Sequence, residues 1–250
     1  MIDVLNISIP FFALIFLGFV ARALGFLNQG GASAMSKFAF FIALPPFLFL
    51  KVAASDPASI FNWGFVWRYE ICTIFLFLVA ALISRKIFGF KRLESGIFGL
   101  NAAYPNYGYI GIPLVILAFG DQAALPIGLI LVADTITLLT LTAFFVAGNE
   151  LGPTAISMKM LQTVATNPLV LAVIAGITFS STELLMPKLP DVFLNMLAGA
   201  ATPVALFALG ATLFGQPVKN AIKELSTLTV LKLVIHPLMI SIFFIGIPGQ

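Results

Sequence analysis

The sequence predicts an all-α protein that crosses a membrane many times and contains an inverted five-helix repeat whose second copy is incomplete. Composition, apolar runs and self-similarity predict this fold class. Of 250 residues, 60% are hydrophobic and 9% are charged, whereas soluble domains carry about 25% charged residues. Such a chain cannot cover itself with a water-soluble surface, which excludes a soluble enzyme, a nucleic-acid-binding protein and a disulfide scaffold. The lipid bilayer is its predicted partner.

Eight apolar runs are long enough to be membrane helices of about 20 residues. They cover approximately 4–24, 34–54, 65–88, 95–119, 124–148, 162–181, 191–214 and 225–246. The first run is not predicted to be a cleaved signal peptide, because no lysine or arginine precedes it and no small-residue cleavage site follows it. We therefore expect eight spans joined by short connections.

Basic residues predict the orientation, since lysine and arginine gather on the cytoplasmic side of membrane proteins. Four of them crowd the connection between the third and fourth spans, whereas the connection after the fourth contains only Asp121. This places the N-terminus outside the cell (inner) membrane and leaves Lys232 unassigned within a span. The predicted cytoplasmic residues are Arg22, Lys37, Arg85, Lys86, Lys91, Arg92, Lys159, Lys219 and Lys223, and the external ones are Lys51, Arg68 and Lys188.

The sequence resembles itself at an offset of 158 residues without a gap. Between Pro10 and Ala53 there are eight identities over 44 positions, where about four are expected by chance. The pairs include Pro10 with Pro168, Gly18 with Gly176, Pro45 with Pro203 and Phe49 with Phe207. Because five spans separate the copies, the second is inverted, as in many secondary transporters. The predicted organisation is a first repeat at 1–148, a cytoplasmic linker at 149–161 and a partial second repeat at 162–250.

The same offset predicts counterparts of the fourth and fifth spans near 259–277 and 282–306, after Gln250. We therefore expect a complete protein of ten spans and roughly 305 residues. The alternative is an eight-span protein with an accidental similarity. A stop codon directly after Gln250 would contradict the ten-span expectation.

The fourth span contains an unusual segment, Asn101–Pro113, with two prolines, two glycines and two asparagines. Pro105 and Pro113 each remove a backbone donor and clash with the preceding turn, while Gly108 and Gly111 tolerate non-helical dihedrals. An unwound break is therefore predicted in this span. Irregular backbone at membrane depth lines a cavity or is buried in protein. The alternative is a proline-kinked helix with polar groups facing its neighbours.

A break exposes N–H groups at the start of one half-helix and C=O groups at the end of the other, so it can hold an anion and a cation. The Asn106 amide can donate to a carboxylate without a buried counter-charge. Thr202 precedes Pro203 and is expected to line the cavity. The predicted substrate-binding residues are Tyr104, Asn106, Tyr107, Gly108, Gly111 and Thr202, and the predicted structural prolines are Pro45, Pro105, Pro113 and Pro203.

The fifth span carries an acidic residue deep in the membrane, Asp134. A charge at that depth costs about 3 kcal/mol, so it is a functional candidate by default. Thr137 lies one turn on, on the same helix face. Asp134 is a candidate for carrying a coupling proton or binding a sodium ion; the alternative is that it caps polar groups inside the bundle.

Two other residues stand out in the eighth span. His236 is the only histidine and precedes a proline, so it is interpreted as a helix-packing residue rather than a proton relay. Lys232 lies near the predicted cytoplasmic end, where its ammonium can reach the interface. Attraction of an organic anion is its alternative role.

The run Tyr104–Leu114 resembles the proline-asparagine crossover segment of the auxin efflux carrier family, which includes plant PIN-type carriers and bacterial malonate or malate permeases. Ala201–Leu213 is similar to the seventh span of the bacterial members, and Leu44–Phe47 to their second. The resemblance implies a ten-helix fold of two inverted five-helix repeats, related to bile acid symporters and sodium/proton antiporters. It also implies broken fourth and ninth helices that cross at the centre, and a homodimer.

Within this resemblance, Asn106 takes the place of the asparagine that binds the substrate carboxylate, and Pro113 that of the crossover proline. No counterpart of the second crossover precedes Gln250.

An enzyme is not predicted, because one histidine and one cysteine cannot build a zinc site, no Gly-x-Ser-x-Gly motif is present and one buried aspartate cannot form a protease dyad.

The predicted function is secondary transport of a small organic anion, a mono- or dicarboxylate, by alternating access. No cofactor and no nucleic-acid partner are predicted. The alternative is a passive channel, because a broken helix could also line a pore.

Overall fold

All regular structure in the described part of the chain is helical. The computed structural model describes residues 2–56, 63–147, 153–182, 184–217 and 221–246. Lys219 and residues 149–152 of the predicted linker lie outside this part. The α-helices are Ile2–Ala23 (α1), Gln29–Phe38 (α2), Leu44–Ala53 (α3), Trp63–Ile87 (α4), Arg92–Ala103 (α5), Ile112–Phe119 (α6), Ala124–Ala147 (α7), Pro153–Thr166 (α8), Pro168–Ser180 (α9), Lys188–Leu213 (α10), Ile222–Val230 (α11) and His236–Gly246 (α12).

Apolar helices lie at all eight predicted span positions. Within the described residues, six segments are long and apolar enough to cross a membrane, and two positions carry the shorter apolar helices Ser8–Ala23 and Pro168–Ser180. The chain is therefore a multi-pass, all-α membrane protein. The six long segments are Gln29–Ala53, Gly64–Ile87, Arg92–Phe119, Asp121–Phe145, Lys188–Leu213 and Ile222–Ile245.

The sixth predicted span, 162–181, is not one continuous helix. α8 ends at Thr166 and α9 begins at Pro168. Between them the Asn167 side chain accepts hydrogen bonds from the N–H groups of Leu169 (3.0 Å) and Val170 (3.3 Å). An asparagine cap followed by proline at the first helical position is a strong start signal, and hydropathy alone does not detect it. α8 covers 153–161 of the predicted linker, so that part is helical.

Among the described residues, three membrane segments contain a single π turn directly before a helix whose second residue is proline. Proline lacks an N–H, and its ring clashes with the carbonyl four residues earlier in an α-helix. A wider turn with i→i+5 hydrogen bonds relieves this clash. The turns are Ala39–Ala43 before Leu44-Pro45, Tyr107–Gly111 before Ile112-Pro113, and Leu231–Ile235 before His236-Pro237.

The chain forms two compact units. The first unit comprises Met1–Ile60, Asn106–Gly128 and Asn167–Gln216, and the second comprises Phe61–Pro105, Leu129–Thr166 and Pro217–Gln250. One boundary falls between Pro105 and Asn106, inside the fourth span.

Glycines bring helix pairs of the first unit into close contact. A methyl group at Gly18 of α1 would collide with the backbone carbonyl of Phe207 in α10. On the pair α9 and α3, a methyl group at Gly176 would lie 3.1 Å from the carbonyl oxygen of Phe49. Small residues at helix interfaces are the usual means of close packing in membranes.

The second unit has its own apolar core, formed by α4, α5, α7 and the π turn at Leu231–Ile235. α5 approaches α4 closely, because a methyl group at Gly99 would lie 2.9 Å from the Phe77 carbonyl oxygen. This packing fixes the position of the last turn of α5. The buried core residues are Leu76, Phe77, Ala80, Phe98, Ala102, Ala103, Leu138 and Leu231.

Candidate functional site

The fourth span is broken where the sequence predicts it. α5 ends at Ala103, and Tyr104 has an extended backbone with φ −76° and ψ 115°. Asn106, at φ −82° and ψ 75°, is also non-helical and precedes the π turn Tyr107–Gly111. Carbonyl groups thus end the first half of the span, and N–H groups begin the second.

Asn106 starts the second half of the span. Its Oδ1 accepts from the N–H of Tyr109 at 3.2 Å, and its backbone carbonyl accepts from the N–H of Gly111 at 2.7 Å. The side chain is exposed. Because the amide oxygen is used within the turn, the two Nδ2 hydrogens are the donors that Asn106 can offer to an anion.

The neighbours of Asn106 pack inside the first unit. Tyr107 and Gly108 are buried, and a methyl group at Gly108 would lie 3.3 Å from the ring of Phe40. The hydroxyl of Tyr109 donates to the Ser36 carbonyl at 3.3 Å. Asn106 is therefore the polar side chain of this turn that faces outward. Thr202, Pro45 and Pro105 are half-buried, Pro113 is buried and Pro203 is exposed.

In the second unit, the end of α5 binds a lysine. The backbone carbonyl of Tyr104 accepts a hydrogen bond from Nζ of Lys232 at 2.7 Å, a contact between residues 128 positions apart. The Tyr104 hydroxyl lies 3.2 Å from Oγ1 of Thr135. Since Thr135 gives its only hydroxyl hydrogen to the Leu131 carbonyl at 2.6 Å, Tyr104 is the donor of this pair.

Two carboxyl groups lie close together in the second unit. Asp134 on α7 is 0% exposed and Glu70 on α4 is 9% exposed. Glu70 faces the side chains of Asp134 and Thr137, although neither Glu70 oxygen makes a well-formed hydrogen bond to a described group. Asp134 and Thr137, which the sequence placed on one helix face, thus point toward the same acidic partner.

Glu70 was missed by reasoning from the sequence, which identified Asp134 alone as a deep acidic residue. Glu70 follows Trp67, Arg68 and Tyr69, a composition typical of a membrane interface. The spacing of Glu70, Thr73 and Phe77 is the available signal, because residues at i, i+3 and i+7 share one helix face. All three are buried.

His236 packs against α4, as its sequence context indicates. Its Nε2 lies 3.1 Å from Oγ1 of Thr73, and its ring is 5.6 Å from that of Tyr69. Thr73 donates its hydroxyl hydrogen to the Tyr69 carbonyl at 3.1 Å. Thr73 thus links the His236 ring to the backbone of α4.

A polar cavity of about 470 Å³ lies in the first unit and contains none of the predicted substrate-binding residues. Arg22 lines it and donates to the Leu27 carbonyl at 2.9 Å. Ser36, whose carbonyl accepts from Tyr109, is a further lining residue. The other polar lining residues are Gln29, Ser33, Thr212 and Gln216.

An all-α, multi-pass chain with a broken polar helix among its spans has an architecture that occurs in membrane transporters. The comparison with known families agrees. A family described as "Membrane transport protein" matches residues 4–248, so the chain belongs to this family. This match confirms the resemblance to a family of membrane carriers that the sequence predicts.

Relatives that span most of the chain include three transporters. A "Putative malonate transporter" of Rhizobium meliloti (strain 1021) is 29% identical over 96% of this chain and 76% of its own length. An "Uncharacterized transporter" of Methanothermobacter thermautotrophicus is 28% identical over 90% of this chain and 73% of its own. The "Uncharacterized transporter YfdV" of Escherichia coli (strain K12) is 22% identical over 92% and 74%.

Proposed function

We propose that the chain is a secondary active transporter that moves a small organic anion, a mono- or dicarboxylate, by alternating access. The observation that carries the proposal is the break at Tyr104–Asn106, which presents the exposed Asn106 amide at the start of a half-helix. Amide donors and the positive end of a helix dipole favour a negative ligand. The relative named as a malonate transporter supports a dicarboxylate.

The packing of the first unit supports the inverted repeat. At the offset of 158, Gly18 corresponds to Gly176, and Phe207 corresponds to Phe49. Gly18 packs on the backbone of Phe207, and Gly176 on that of Phe49. One contact thus becomes the other when the two copies are exchanged, as expected of copies related by a two-fold axis. We therefore retain repeats at 1–148 and 162–250, joined by 149–161, in a fold of the bile acid symporter type.

We extend the proposal to a coupling ion held by Asp134 and Thr137 together with Glu70. Buried acidic side chains inside membrane helices mark ion pathways and proton relays. A proton and a sodium ion are the two candidates at this cluster.

Topology is the next part of the proposal, with the N-terminus outside the cell membrane. Lys51 and Asp121, both expected outside, form an ion pair with Nζ 2.8 Å from a carboxylate oxygen. Two residues 70 positions apart can pair only if they lie at the same end of their helices, so the pair supports placing Lys51 and Asp121 on one side of the membrane. The assignment of that side to the exterior rests on the distribution of basic residues. A homodimer, implied by the family resemblance, completes the proposal.

Ligand-dependent stability tests the anion site. We expect malonate, malate or another carboxylate to raise the melting temperature of the purified protein; indole-acetate is included in the screen. Asn106→Ala should abolish that increase. Asn101→Ala is the matched control, because Asn101 is an exposed asparagine of the same span. If no carboxylate stabilises the unmodified protein, the anion assignment is wrong.

Counterflow separates a carrier from a passive channel. Vesicles preloaded with unlabelled substrate should take up labelled substrate faster if the protein alternates between two states. Equal uptake with and without preloading would favour the channel.

A further inference from the structure

The polar cavity of about 470 Å³ in the first unit lies at the ends of three membrane helices. Its lining residues belong to the last turn of α1, to α2, and to the C-terminal end of α10 with the residues directly after it. The apolar segments Ser8–Ala23, Gln29–Ala53 and Lys188–Leu213 end or begin there. Because a membrane span ends where hydrocarbon meets water, this position corresponds to the membrane interface.

Arg22 carries the charge of the described lining. Its Nη1 donates to the Leu27 carbonyl at 2.9 Å, and this bond holds the guanidinium against the connection between α1 and α2. A guanidinium has five N–H donors in a planar fork, so Nε and Nη2 can bind two oxygens of one phosphate. The described lining contains no carboxylate and therefore has a net positive charge.

Neutral hydrogen-bond donors surround the guanidinium. The cavity is lined by the hydroxyls of Ser33, Ser36 and Thr212 and by the amide of Gln29. Thr212 gives its hydroxyl hydrogen to the Leu209 carbonyl at 2.8 Å. The two serines, which share one face of α2, and Gln29 are thus donors for the remaining oxygens of a ligand.

The chain beside the cavity is apolar and exposed. Leu24 and Phe26, in the connection that follows Arg22, are 68% and 81% exposed. Leu213 and Phe214 at the end of α10 are also exposed, and Phe214 lines the cavity. Exposed apolar patches rimmed by polar residues mark membrane contacts. A guanidinium in a polar cavity beside such a patch matches the charged and the apolar part of a phospholipid.

We propose that this cavity binds the headgroup of an anionic phospholipid, with Arg22 on its phosphate. Basic pockets between membrane helices on the cytoplasmic side bind anionic headgroups, and the distribution of basic residues predicts that Arg22 lies on that side. Ligand pockets have volumes of about 300–1,000 Å³, a range that includes this cavity. Asn106 is not among the lining residues, so the inference goes beyond the proposed function and does not depend on the transported anion.

Lipid titration of the delipidated protein in detergent, followed by native mass spectrometry, tests the inference. Phosphatidylglycerol should bind more tightly than phosphatidylcholine with the same acyl chains. Arg22→Gln should weaken phosphatidylglycerol binding at least about tenfold, because it removes a charge-assisted contact while keeping an amide donor. Arg85→Gln is the matched control, because Arg85 is an exposed arginine outside this cavity and on the same predicted side of the membrane. It should bind as the unmodified protein does.

Thermal unfolding provides a second measurement. Phosphatidylglycerol should raise the melting temperature of the unmodified protein and of Arg85→Gln more than phosphatidylcholine does. Arg22→Gln should show no difference between the two lipids. If that variant does not fold, Ser33→Asp replaces it, because it puts a carboxylate at an exposed lining position and keeps the bond between Arg22 and Leu27. It should also remove the preference for phosphatidylglycerol.

Equal binding of the two lipids, or unchanged phosphatidylglycerol binding by the folded variants, would overturn the inference. Inorganic phosphate and malonate are added without lipid to separate a headgroup from a soluble anion. If either one stabilises the protein and Arg22→Gln abolishes that effect, the cavity binds a soluble anion and the lipid assignment is wrong. Stabilisation by malonate that requires Asn106 should be unaffected by Arg22→Gln.

Discussion

The segments 106–113 of the first unit and 230–237 of the second share the same order of backbone conformations but carry different side chains. Each contains a five-residue π turn followed by a helix with proline as its second residue. Superposing the prolines places Gly108 and Lys232 at the same position. Gly108 has no side chain at the position where Lys232 carries an ammonium group. The π turn alone therefore does not determine which kind of ligand the segment can bind.

The difference follows from what each turn packs against. In segment 106–113, Gly108 and Gly111 allow the backbone to approach Phe40 and the Asn106 carbonyl. In segment 230–237, large residues such as Leu233, 68% exposed, face outward. The first turn is packed like a core, whereas the second is anchored on one side only. The following predictions test this contrast, beginning with the largest expected effect.

Replacement of Gly108 by valine should disturb the first turn most. A Cβ there would already lie 3.3 Å from the Phe40 ring, so two further methyl groups overfill the site. Overpacking costs about 1–3 kcal/mol, and we expect a clear fall in the melting temperature of the detergent-solubilised protein. Leu233→Ala, one position further along in the outward-facing turn, should change stability by no more than about 0.5 kcal/mol. Equal melting temperatures of the two variants would show that the two turns do not differ in how closely they are packed.

Thr73→Val probes the anchored side of the second turn. It removes the hydrogen-bond partner of Nε2 of His236, a buried group, and leaving such a group unsatisfied costs about 1–3 kcal/mol. We expect an effect near the lower end, measured by thermal unfolding. Thr178→Val is the control, because Thr178 is exposed and bonds only to its own helix. If both variants melt alike, the bond to His236 does not stabilise the turn.

Much of the fold could be predicted from the sequence, because the local composition of a segment is sufficient to identify it as a membrane helix. The eight apolar positions and the break after Ala103 are examples, since apolar length and the run of proline and glycine are visible without tertiary contacts. The interruption at Asn167 was not predicted, although its cap and the following proline are local signals. Hydropathy averages over 162–181 and conceals such a cap.

The candidate site could be predicted only in part. Asn106 is recognisable because it lies among helix breakers, whereas the partner of Lys232 is 128 residues away and no spacing in the sequence relates the two. Glu70 was concealed by its interfacial neighbours Trp67 and Tyr69. Contacts between distant helices depend on packing, which a single sequence does not encode in any local pattern.

Tyr109→Phe should produce the smallest effect and thereby separate packing from hydrogen bonding in the first turn. The Tyr109 hydroxyl donates to the Ser36 carbonyl at 3.3 Å, a long bond that phenylalanine removes while keeping the ring. Net contributions of neutral hydrogen bonds are about 0.5–1.5 kcal/mol, so we expect a loss at the lower limit of this range in thermal unfolding. A loss as large as that of Gly108→Val would mean that polar contacts rather than close packing hold the turn. In that case the difference between the two segments would be one of hydrogen-bond partners, and glycine at position 108 would have no role in it.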